Sequence, residues 1–91
     1  MAAKIEVEKL NDVEFLVRAN EGRSESQHRV TLTPEIYQKL SRGKITREEL
    51  IRKSFEFLLD RESKESILSR FDLPLIGRYF PEYEREMKRL T

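Results

Sequence analysis

The segment from Gln27 to Leu40 constrains the fold most, because a period-two pattern changes there to helical spacing without a gap. His28, Val30 and Leu32 alternate with polar neighbours, as in a strand with one buried face. Thr33 is a preferred helix N-cap, and the proline after it suits the first helical position. The pattern predicts a strand over 27–33 followed by a helix over 34–41, which Gly43 ends.

A second helix is predicted over about 46–62, where Thr46 and Glu49 form the sequence signature of a capping box. Its apolar residues span an arc of roughly 200°, wider than one packed surface requires. We therefore expect cover on two sides, for example by the chain's own sheet and by a second subunit. Ser54 lies inside the arc and indicates either a bond to its own helix or a close helix–helix approach. The predicted core and dimer residues are Leu50, Ile51, Phe55, Leu58 and Leu59.

The remaining patterns predict two strands before this unit and short helices after it. Residues 4–10 and 13–19 alternate with period two, and 20–26 reads as a loop because it contains Gly22 and two serines. A short helix is expected from Ser63 to Phe71, a helical turn after Pro74, and a last amphipathic helix over 82–90. The predicted fold class is α+β. An N-terminal antiparallel β-meander of two to three strands precedes three to four helices in a single domain, 1–91.

Size and composition limit how such a chain is stabilised. A 91-residue chain buries only about 60–65% of its unfolded surface, and the absence of cysteine excludes disulfides. A homodimer would supply additional core. The sequence has neither a secretory signal pattern nor a membrane-spanning run, so we expect a cytoplasmic protein with no membrane partner.

Catalytic and metal-binding motifs are not found in the sequence. His28 is the single histidine, it lies on the predicted inward strand face, and no pattern places a serine beside it. Three separated glycines cannot form a phosphate-binding loop. We therefore expect no enzyme activity, no catalytic residues, no metal site, no cofactor and no small-molecule substrate.

Charge is unevenly distributed, although the net charge is only +1, which argues against an unaided nucleic-acid binder. Residues 23–53 hold eight Lys and Arg but only four Asp and Glu. This basic segment coincides with the third strand and the starts of both helices. It indicates either an electrostatic footprint for DNA or ordinary solvated charge on exposed faces.

The stretch from about 27 to 59, with RVTLTPEIYQKL followed by TREELIR, resembles the ribbon-helix-helix repressors and antitoxins. This resemblance implies a homodimer whose paired strands enter the DNA major groove. It also implies base contacts by outward strand residues, here Gln27, Arg29 and Thr31, whose side-chain types suit base edges. A phosphate would then lie at the start of the second helix, near Thr46 and Arg47. Such a ribbon requires the third strand to lie at the sheet edge.

An aromatic run near the C-terminus supports a different reading. Tyr79, Phe80 and Tyr83 surround a proline and could either dock a protein partner or complete the core. The sequence thus predicts a small non-enzymatic regulator that binds DNA as a dimer. The alternative is a protein-interaction or structural module that binds no nucleic acid.

Overall fold

The structure, a computed structural model, describes residues 4–90. Along the chain the elements are β1 Lys4–Lys9, β2 Glu14–Glu21, β3 Ser24–Thr31, α1 Pro34–Ser41, α2 Arg47–Leu59, a 3-10 turn Lys64–Ser66, β4 Arg70–Asp72, α3 Leu75–Tyr79 and α4 Tyr83–Leu90. The predicted α+β class is confirmed, with an antiparallel meander followed by four helices. The central helix ends at Leu59 rather than near residue 62.

The sheet has the strand order β1-β2-β3-β4. The first three strands are antiparallel, and β2 and β3 pair as far as Glu21 and Ser24. The loop predicted over 20–26 is therefore wrong except at its centre. Two residues, Gly22 and Arg23, make the turn, and Gly22 has the positive φ of 63° that this kind of two-residue hairpin turn requires.

The helix predicted from Ser63 to Phe71 is also wrong. One 3-10 turn is followed by β4, which pairs parallel with Arg29–Thr31 of β3. Ile67 and Phe71 are four residues apart and both buried, so their spacing fits a helix as well as the observed extended chain. The deciding interactions come from β3, about 40 residues earlier, where the Arg29 N–H donates to Ser69 O over 2.8 Å.

The inner face of the sheet and the helices form one core. Four side chains that point inward from the sheet are fully buried: Phe15 and Val17 of β2, Val30 of β3, and Leu32 directly after β3. The cluster continues through α1, α2 and the C-terminal segment. The two predicted helix starts are confirmed. The hydroxyl of Thr33 accepts from the Ile36 N–H, and Thr46 and Glu49 form a reciprocal capping box.

Candidate interaction site

The residues predicted to contact bases lie on the open face of the sheet. Gln27 and Arg29 are exposed, Thr31 is half-buried, and all three point away from the helices. The β3 edge next to Arg29 and Thr31 is already paired with β4. A two-stranded ribbon between two chains along this stretch would therefore have to displace β4.

Charge on this open face is balanced rather than basic. The carboxylate of Glu14 lies 3.9 Å from the Arg29 guanidinium and 3.7 Å from that of Arg70. The hydroxyl of Thr31 donates to the Asp72 carboxylate. Arg29 and Thr31 thus already have partners within the sheet, and the face presents both charge signs.

Thr46 and Arg47, the predicted phosphate contacts, begin α2, which packs on the other face of the sheet. The structure therefore does not combine them with Gln27, Arg29 and Thr31 into one surface. The Glu49 carboxylate accepts from the Thr46 N–H, so a protein anion already lies at this helix start. The guanidinium of Arg47 lies over the Tyr37 ring, 5.0 Å from its centroid.

The predicted core residues of α2 lie in the core of a single chain. Leu50, Ile51, Phe55 and Leu58 are buried, and Leu59 is half-buried. The wide apolar arc is covered by the sheet on one side and by the chain's own C-terminal segment on the other. The Phe57 ring centroid lies 5.4 Å from that of Tyr83 and 5.8 Å from that of Phe80. The arc therefore does not itself require a second subunit.

Both roles that the sequence indicated for Ser54, a bond to its own helix and a close helix–helix approach, are found in the structure. Its hydroxyl donates to Leu50 O over 2.8 Å, and its oxygen lies 2.7 Å from the Tyr83 hydroxyl. The small side chain thus bonds to its own helix and also allows α4 to approach closely. Burial raises the pKa of the Tyr83 phenol strongly, so Tyr83 stays neutral.

His28 has a neighbour that the sequence did not reveal. Its Nε2 lies 2.7 Å from the Ser26 hydroxyl, and its Nδ1 lies 2.8 Å from Leu68 O. A carbonyl can only accept, so Nδ1 carries the proton of the bond to Leu68 O. The imidazole is only 2% exposed and packs on Phe55 with ring centroids 5.3 Å apart. This arrangement fits a satisfied core histidine, because a substrate could not reach the ring.

The predicted partner-binding aromatics occupy three different environments. Tyr83 is 1% exposed, so it cannot meet a partner as predicted, because it fills the α2–α4 interface. Phe80 is half-buried against Phe57. Tyr79 is 67% exposed, the largest value among the exposed large apolar residues. The run therefore combines core completion with one aromatic side chain left in solvent.

Tyr79 borders an apolar groove of about 420 Å³ between the end of α2, the 66–68 segment and α3. The lining is apolar apart from Glu62 and Ser66 and includes Leu58, Leu68, Phe71, Ile76, Tyr79 and Phe80. Leu68 is 48% exposed. An exposed aromatic and an exposed leucine beside one groove are unusual for a surface that faces only water. Sequence patterns did not identify Leu68 and Glu62 as site residues, because only the fold brings them beside α3.

Two cations beside this groove are paired within the chain, and one carboxylate of its lining is not. Arg61 donates to Phe57 O, lies over the Phe57 ring and pairs with Glu82 at 3.2 Å. Lys64 pairs with Glu21 at 3.3 Å and with Glu65. Arg61 and Lys64 are thus paired within the chain, whereas Glu62 forms no ion pair within residues 4–90. A partner carrying Lys or Arg would complement it.

The pKa values around the groove follow these pairs. The backbone N–H and the Arg61 guanidinium hold the pKa of the Glu82 carboxyl below its usual range. The Glu65 carboxylate, followed by Glu21, raises the pKa of the Lys64 ammonium against the opposing effect of burial. Glu82 and Lys64 are therefore charged at neutral pH, so their ion pairs persist there.

Within residues 4–90, no group of three or more His, Asp and Glu could hold a metal ion, and no helix is long and apolar enough to cross a membrane. Comparison of the chain with protein-family models, curated proteins and solved structures gives no match.

Proposed function

We propose that this protein is a non-enzymatic protein-interaction module whose partner docks in the groove beside Tyr79. The observation that carries the proposal is the exposure of Tyr79 and Leu68 on either side of an apolar groove. Partly exposed aromatic and aliphatic side chains around a pocket are typical anchors of protein interfaces. This function is the alternative to DNA binding that the sequence left open.

The groove selects the chemistry of its occupant. Its apolar lining suits two or three large apolar side chains, and the unpaired Glu62 carboxylate suits a neighbouring Lys or Arg. We therefore infer that the occupant is a short amphipathic segment of another protein, with basic residues next to its apolar anchors. Cytoplasmic location stays a prediction from the sequence.

A phage-displayed random peptide library, selected on the full chain, tests this proposal. We expect enriched peptides with apolar residues at helical spacing and at least one Lys or Arg. Tyr79→Ala should weaken the binding of a synthetic copy of an enriched peptide by about tenfold or more, as loss of a central anchor does. Glu62→Lys should also weaken it, and wild-type binding should decrease with added salt.

Leu10→Ala is the matched control, because it shortens an exposed apolar side chain in the β1–β2 turn, outside the groove. Enriched peptides that bind the Tyr79→Ala variant and the wild type equally would refute the proposal that the groove is the binding site. A random double-stranded DNA pool provides the other arm of the test. Sequence-specific enrichment that Arg29→Ala abolishes would establish the DNA-binding function instead.

A further inference from the structure

The outer edge of β1 is the longest open edge of the sheet in the described part of the chain. β1 pairs only with β2, and its backbone groups on the other side have no strand partner within residues 4–90. At the opposite end of the sheet, β4 has only three residues. Short edge strands resist further pairing, whereas a regular strand of six residues provides a template for it.

We propose that β1 pairs antiparallel with β1 of a second copy, so that two sheets become one continuous sheet. The two-fold axis would pass through Glu6. Each Lys4 would then lie opposite Glu8 of the other copy, and each Ile5 opposite Val7. The inference does not depend on the groove, which lies on the helical layer.

Side-chain chemistry favours this register. Lys4 and Glu8 are exposed on the open face, and Glu8 already pairs with Arg18 of its own chain at 3.0 Å. Pairing would add a Lys4 of the other copy to each Glu8, which creates two symmetric opposite-charge contacts. Ile5 and Val7 are on the inner face, where Val7 is only half-buried and gains cover from the partner strand. The neighbouring register centred on Val7 would place Ile5 opposite Lys9 and Glu6 opposite Glu8. It therefore has no opposite-charge pair, and its one apolar pair, between the two Val7 side chains, replaces the two Ile5–Val7 pairs of the proposed register.

A register centred on Ile5 places the two Ile5 side chains opposite each other but leaves Val7 without Ile or Val opposite it, because position 3 of the chain is alanine. Antiparallel pairing about a two-fold axis also closes the assembly at two copies. One unfavourable contact remains, because the two Glu6 carboxylates meet at the axis. Glu6 accepts from Asn20 Nδ2 at 3.3 Å, and glutamine retains an acceptor for that bond.

A cysteine at the axis gives the most direct test, since the chain has no cysteine of its own. Opposite residues in antiparallel strands have Cα atoms about 4.5–5.5 Å apart, within the range that a disulfide spans. Glu6→Cys should therefore form a disulfide-linked dimer under mild oxidation. Glu25→Cys is the matched control. It replaces another exposed glutamate of the open face, in β3 and two strands away from the paired edge, so it should stay uncrosslinked.

Sedimentation equilibrium supplies the second readout. Lys4→Glu should weaken dimerisation by about tenfold, because two attractive contacts become repulsive, whereas Glu6→Gln should strengthen it severalfold. Lys44→Glu makes the same charge change in the turn after α1 and should leave the dimer unchanged. A protein that is monomeric at millimolar concentration overturns the proposal. So does a dimer that crosslinks equally at positions 6 and 25, or whose affinity is changed by neither Lys4→Glu nor Glu6→Gln.

Discussion

A single hydroxyl links two helices at Ser54. It bonds to Leu50 O and to the Tyr83 hydroxyl in a fully buried site. Ser54→Ala should therefore lower the free energy of unfolding by about 1–3 kcal/mol, since the Tyr83 hydroxyl would be left buried without its partner. Urea denaturation measures this change.

Tyr83→Phe provides the matched comparison at the same site. It should cost less than Ser54→Ala, because Ser54 keeps its bond to Leu50 O. The double variant should recover part of the loss, since no buried hydroxyl then lacks a partner. Equal and additive costs would show that the Ser54–Tyr83 bond contributes nothing.

The same phenol predicts how stability changes at alkaline pH. Burial raises the pKa of Tyr83 in the folded state, so only the unfolded chain releases this proton near the ordinary tyrosine value of about 10. The raised pKa stabilises the fold fully below that value, and the contribution is lost as pH rises above it. The urea midpoint should fall between pH 9 and about 11, and Tyr83→Phe should reduce the fall. An identical decline in the two proteins would contradict this assignment.

At the scale of elements, the short strand β4 is held by contacts remote in sequence. His28 Nδ1–H donates to Leu68 O, two residues before β4, and the N–H of Leu73, directly after β4, donates to Thr31 O. His28→Leu should leave the Leu68 carbonyl without its donor. We expect faster hydrogen exchange at Phe71 and Leu73 and a stability loss of about 1–3 kcal/mol.

His28→Asn is the control for this prediction, because its side-chain amide can occupy the Nδ1 position and donate to Leu68 O. It should protect the β4 amides better than His28→Leu does. If leucine preserves the exchange protection of β4, the imidazole bond does not hold this strand.

Elements with local signals could be predicted from the sequence. Thr33 with Pro34, and Thr46 with Glu49, set both helix starts through bonds within four residues. Period-two spacing identified His28, Val30 and Leu32 as buried. Arg70–Asp72 could not be identified in this way, since a three-residue strand exists only where a neighbouring strand accepts it.

The candidate site shows the same division between local and non-local information. Tyr79 was singled out because it stands in an aromatic run, and the structure leaves it exposed. Tyr83 stands in the same run but is buried by α2, and composition could not distinguish the two. Leu68 and Glu62 carried no signal at all, because their role arises only when α3 folds back beside the end of α2.

At the scale of the whole molecule, the C-terminal segment does what the sequence assigned to a second subunit. Tyr83 and Met87 are buried against α2, and Met87 Sδ lies 3.7 Å from the Ser54 hydroxyl. The sheet and α4 thus cover the two sides of the wide apolar arc. Self-association can therefore involve the sheet edge while the helical layer keeps its groove free.

Truncation after Phe80 should show how much this cover contributes. Removing two buried side chains loses about 1.5–3 kcal/mol each and uncovers Phe57 and Ser54 of α2. We expect a large fall in the urea midpoint and strong binding of a hydrophobic reporter dye. Truncation after Lys88 is the control, since it keeps Tyr83 and Met87 and removes, among the described residues, only the exposed Arg89 and Leu90. If both truncated chains unfold like the full chain, then α4 is not part of the core and the arc of α2 needs another cover, such as the second subunit that the sequence predicted.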